Sequence, residues 1–79
     1  MNKKFYTIED LKSGLEFTGK FEKNWLEDSG NRYETQAEAE TDFSVALENS
    51  GYLEPKILEH SPISDNDGEI LEWSIKIIK

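Results

Sequence analysis

The chain has 79 residues, 17 acidic against nine basic, with one histidine, no cysteine and a formal net charge of −8. That length admits one small domain over residues 1–79, and the missing cysteines exclude a disulfide staple. A field of that sign repels nucleic acid and anionic membranes and draws in basic protein surfaces.

Apolar residues make up 35% of the chain and aromatics 11%, enough to build a core where a disordered chain would lack the aromatics. Met1-Asn2-Lys3-Lys4 is followed by polar residues instead of an apolar h-region, so no signal peptide is expected. No apolar run approaches the length of a membrane span. The expectation is a soluble cytoplasmic protein.

In chain order, Thr7-Ile8-Glu9-Asp10 has the spacing of a capped helix start, and Gly14 offers a stop. A short helix over 8–13 is one reading, and a strand from Lys3 to Ile8 is the other. From Glu16 the pattern becomes two-fold. Phe17, Gly19, Phe21, Lys23 and Trp25 alternate with Glu16, Thr18, Lys20, Glu22 and Asn24. Asp28-Ser29-Gly30-Asn31 is a turn cluster. Tyr33, Thr35, Ala37 and Ala39 then alternate with Glu34, Gln36, Glu38 and Glu40. The pattern predicts a hairpin of residues 16–27 and 32–40 with a polar outer face.

Thr41-Asp42 reads as an N-cap followed by an acid at the positive end of a helix. Phe43, Ala46 and Leu47 supply its apolar stripe, so a helix is expected from 42 to about 50, closed by Gly51. Thr35-Gln36-Ala37-Glu38 also has capping-box spacing, but the period of two over 33–39 favours strand there. Pro55 excludes helix continuation, and Lys56–Ser64 reads as a strand that Pro62 pushes toward a sheet edge. Asp65-Asn66-Asp67-Gly68 is a hairpin turn. The last strand, 69–79, then places Leu71, Trp73, Ile75 and Ile77 toward the core, with Ile70 and Ile78 outward. The sum is an α+β domain of order ββαββ: about four antiparallel strands in two hairpins, one main helix, and a possible short N-terminal helix.

No motif names a reaction. Asp65-Asn66-Asp67-Gly68 lacks the outer ligands of a calcium loop, since Ile63 and Ser74 stand where acids are needed. His60 has no second histidine or cysteine near it in sequence, and reads as a partly exposed strand residue. The glycines do not match a phosphate loop. The expectation is no enzyme, no cofactor and no metal.

Charge carries the functional reading. On a strand, Glu34, Glu38 and Glu40 form an acidic rail, which Asp42 and Glu48 extend around the helix. Glu48 in the last helical turn opposes the helix dipole, a hint that its charge serves elsewhere. Carboxylates so arranged can stand in for nucleic-acid phosphates.

At Thr35-Gln36-Ala37-Glu38-Ala39-Glu40-Thr41 the chain resembles a stretch in some small phage anti-CRISPR proteins, where an outward-polar strand ends and a helix begins. The likeness covers roughly residues 33–50, and the acid excess departs from several basic or neutral members. It implies a protein that occupies the nucleic-acid-binding or interface surface of a CRISPR effector. The expected function is that of a non-catalytic acidic inhibitor. It would present Glu34, Glu38, Glu40, Asp42 and Glu48 to a basic, nucleic-acid-binding protein, which the resemblance makes a CRISPR effector subunit, as a monomer or homodimer. Neutralising a basic nuclease, as an antitoxin or immunity protein, would use the same physics. An assembly module dimerising through the last strand around Ile70 and Ile78 is the alternative of a different class.

Overall fold

Alternation in the first ten residues sets the architecture. Tyr6 and Ile8 project to one side of an extended segment, and Phe5, Thr7 and Glu9 to the other. The computed structural model describes residues 3–19, 24–65 and 67–79. Its elements are β1 (Phe5–Asp10), β2 (Leu15–Phe17), β3 (Trp25–Glu27), α1 (Gln36–Glu48), β4 (Lys56–Ser64) and β5 (Ile70–Ile77). The strands form one antiparallel sheet in the order β3-β2-β1-β4-β5. The α+β class therefore stands, with five strands and the order βββαββ.

Helix α1 covers one face of this sheet, packing mainly on β1 and β4. The core holds Tyr6, Ile8, Phe17, Tyr33, Ala39, Ala46 and Ile57, with Trp25, Phe43 and Ile78 against its margin. Two alanines at the helix contact let its backbone come close to the sheet. Phe17, Ile8 and Ile57 are the largest fully buried side chains, each contributing roughly 1.5–3 kcal/mol. Among the described residues the other sheet face carries no helix, and the site described below lies on it. Among the described residues no helix is long and apolar enough to cross a membrane.

Several expectations are corrected. Residues 8–10 continue β1, and the following turn is closed by Gly14 N–H donating to the Asp10 carbonyl at 2.9 Å, so the short N-terminal helix does not form. The single strand over 16–27 is two strands, β2 and β3, with Phe17 opposite Trp25. Its Lys20, Phe21, Glu22 and Lys23 lie outside the described residues, as does Asn66 of the later turn.

The helix begins at Gln36 and not near Thr41. Thr35 is its N-cap and accepts from Glu38 N–H at 3.2 Å, so the capping-box reading prevails. The strand expected over 32–40 shrinks to one bridge, in which Tyr6 and Tyr33 exchange backbone bonds of 2.8 Å. The physical reason is that Ala39, Phe43 and Ala46 complete a stripe at i, i+4 and i+7, which alternation cannot bury. Leu47, expected on that stripe, is half exposed.

The largest reversal concerns β5. Register pairs Leu58 with Ile77, His60 with Ile75 and Pro62 with Trp73. That places Leu71, Trp73, Ile75 and Ile77 on the helix-free face, where all four are exposed. Ile78 instead reaches the core. The side was decided by β4, whose Ile57 lies opposite Ile8 of β1 under the helix.

β1 flanks β4 only from Lys56 to His60. Beyond it, β4 and β5 run on as a two-stranded arm, closed where the Asp65 carboxylate accepts from Asp67 N–H and Glu69 N–H, both at 2.9 Å. Pro62 sits in this arm, where β4 does face an open side. The arm lengthens the molecule to 44 × 23 × 21 Å with a radius of gyration of 13.3 Å, above the roughly 12 Å of a compact domain this size.

Candidate functional site

The five carboxylates expected to form a rail are distributed around α1 and the loop before it. At about 100° per residue, Glu38 and Asp42 share one flank of the helix, Glu40 lies on the other, and Glu48 points away from the core. Asp42 accepts a hydrogen bond from the Tyr33 hydroxyl at 2.8 Å, and Glu40 is ion-paired with Lys79. Both are used within the fold. Glu34, Glu38 and Glu48 are exposed, with no side-chain partner among the described residues. Thr35–Thr41, the stretch carrying the anti-CRISPR likeness, is the N-cap and first turns of the helix and contains no strand-to-helix junction.

A different set of residues converges on the helix-free face. β1 contributes Phe5, Thr7 and Glu9, β2 Glu16, β4 His60 and β5 Trp73, while Arg32 reaches in from the loop before the helix. Together they line a hollow of about 280 Å³. Direct pairing of Phe5 with His60 stacks the two rings at 4.5 Å and 7°. Trp73 meets Phe5 edge-on at 5.2 Å, and the Arg32 guanidinium lies 4.4 Å from the Phe5 ring centre.

Beneath the rings is a short polar chain. The Thr7 hydroxyl donates to Glu9 Oε2 at 2.5 Å and lies 2.8 Å from His60 Nε2. A hydroxyl has one proton to donate, so Nε2 carries its own hydrogen, and Nδ1 is left as the acceptor of the neutral ring. Burial holds His60 below the usual imidazole range and outweighs the carboxylate of Glu9, 3.6 Å away.

Glu9 and Glu16 stand directly opposite across β1 and β2, a like-charge pair that destabilises unless screened. Burial first and the Glu9 charge second push the Glu16 carboxyl upward, with Gly30 N–H and Arg32 opposing the shift. Gly30 is required here because a Cβ at that position would fall 2.5 Å from Glu16 Cβ. Thr7 itself is 3% exposed, so solvent meets Trp73, Arg32 and the edges of Phe5, His60 and Glu16. This is an aromatic surface with one cation and a carboxylate rim, the residue types that anchor protein contacts. Among the described residues no group of three or more His, Asp or Glu is placed to hold a metal ion.

Nothing in local sequence announces this cluster, since its members span residues 5 to 73. Only the parity of β1 and the register of β4 against its neighbours bring them to one face. No family model, curated protein or solved structure matches the chain.

Proposed function

We propose that this chain is a non-catalytic binding protein that inhibits a basic, nucleic-acid-handling protein by seating the open face of its sheet on that protein's phosphate-binding surface. The observation that carries this reading is Trp73, Phe5 and Arg32 gathered beside Glu9 and Glu16, in a chain of net charge −8. The aromatic groups supply contact area that is costly to leave in water. The carboxylates, together with exposed Glu34, Glu38 and Glu48 on the helix side, supply long-range attraction that speeds encounter with a cationic partner. A protein that binds nucleic acid neutralises phosphates with clustered Lys and Arg, which makes that site a cationic surface of the kind an acidic face fits. A CRISPR effector subunit is one partner of that chemistry.

The test is capture on the immobilised protein, eluted with duplex DNA or RNA and compared with two variants. Trp73→Ala should release the partner quickly, and Glu34→Lys with Glu38→Lys and Glu48→Lys should slow its association. A partner indifferent to nucleic acid and to Trp73→Ala would sink the reading.

A further inference from the structure

We infer that β5 is the contact between two copies of this chain, joining their sheets edge to edge about a two-fold axis through Ser74. β5 ends the strand order, so among the described residues one of its sides has no neighbour in the sheet. Strand edges of this length invite pairing unless charge, proline or a covering segment blunts them. β5 has no proline, and four of its residues are large exposed apolars.

Which peptide groups face outward follows from the ladder. Ile78 N–H donates to the Ile57 carbonyl at 2.9 Å, so by alternation residues 76, 74 and 72 bond inward to β4. Leu71, Trp73, Ile75 and Ile77 therefore turn their peptide groups to the free edge. An antiparallel mate must match outward-facing residues with outward-facing residues, which leaves only every second register.

Charge selects among these. With the axis at Ser74, Glu72 faces Lys76 of the second copy, twice over by symmetry. Trp73 faces the second copy's Ile75, and Leu71 faces its Ile77, giving aromatic and aliphatic cross-strand pairs on the open face. An axis at Trp73 or Ile75 sets only Ser74 against Glu72 or Lys76. An axis at residue 72 or 76 brings like charges face to face. The run from Ile70 to Ile78 is thus self-complementary about Ser74, as an isologous contact requires. The axis stands perpendicular to the sheet, so both open faces end on the same side. The inference rests on the strand edge and not on the partner proposed above; the two share Trp73, which the charge swaps at Glu72 and Lys76 leave in place.

The chain has no cysteine, so Ser74→Cys introduces a single thiol. In a pair without mutual hydrogen bonds the Cα atoms stand about 4.5 Å apart, within disulfide reach. In a glutathione redox buffer, S74C should form a covalent dimer far more completely than E69C, a collisional control on the arm. Sedimentation equilibrium provides the second arm. E72K and K76E should each weaken self-association roughly tenfold, since two pairs turn repulsive in each dimer. The double swap, E72K with K76E, should restore it, which a loss of folding could not imitate. S74C no more cross-linked than E69C, or a double swap no better than the single variants, would overturn the inference.

Discussion

Phe5 and His60, directly opposite on β1 and β4, stack ring on ring at 4.5 Å and 7°. The stack shields the imidazole from water on one side, while Thr7 holds its Nε2 from within the sheet. Burial is the main reason the ring resists protonation, and Phe5 is a large part of that cover.

Phe5→Ala should therefore move the His60 pKa up toward 6.5. A chemical-shift titration of the only imidazole reads this directly. No movement would assign the cover to Trp73 and Thr7 instead.

The same depression makes stability depend on pH. The folded pKa lies below the unfolded value of 6.5, so as pH falls the unfolded chain takes up the proton first. Stability held above pH 6.5 should be lost as pH drops through the folded pKa. Urea midpoints between pH 7 and 5 should show this slope, and His60→Gln, which keeps an N–H donor but does not titrate, should flatten it.

Tyr33 gives the opposite sign at the alkaline end. Burial, and then the hydrogen bond to Asp42, push its hydroxyl up to about 12 from 10.0. The unfolded chain loses that proton first, so stability present below pH 10 should fall by about 2 kcal/mol as pH rises toward 12. Tyr33→Phe should abolish that fall, at a cost of about 1–2 kcal/mol near neutrality from the lost bond to a carboxylate. Denaturant titrations of both proteins at pH 7 and 11 check it.

Gly30→Ala forces a methyl to 2.5 Å from Glu16 Cβ. The expected loss is about 1–3 kcal/mol, seen as a thermal midpoint lowered by several degrees. Glu16→Ala should relieve it only in part, because it removes the carboxyl, whose Oε1 would lie 2.6 Å from the new methyl, but keeps the β-carbon.

Thr35→Ala removes the cap that accepts from Glu38 N–H, and should cost about 1 kcal/mol. Thr41 sits in the second turn, its hydroxyl donating to the Ala37 carbonyl. Thr41→Ala should change stability by only a few tenths of a kcal/mol. A larger effect at Thr41 would return the helix start to the later position.

The hairpin of β4 and β5, the helix around Phe43 and Ala46, and the Asp65 turn were legible because each is a local pattern. Thr35 to Ala39 was ambiguous for a physical reason. Small and polar residues satisfy period two and the helical period together, and only packing of Ala39 beside Ala46 and Phe43 separates them. The amphipathic character of β5 was also plain, but not its direction. A strand with Leu71, Trp73, Ile75 and Ile77 on one side fits a core on that side, and register with β4 is a non-local fact. The site suffered most from this. Phe5, Arg32, His60 and Trp73 become neighbours only through three strand pairings, whereas the glutamates chosen from sequence were adjacent only if residues 32–40 were extended.

Among the described residues, the arm beyond His60 has two strands of its own chain and gains a third only from the second copy. In the monomer its amides should exchange with solvent through local opening, far sooner than those of β1 and the inner half of β4, whose release requires the whole domain to unfold. Trp73 stands in this ribbon, while its contact Phe5 stands in the slow-exchanging part. Whatever docks on that pair clamps a fraying hairpin to a rigid base, and the signature of docking is slower exchange along 61–74 with little change under the helix.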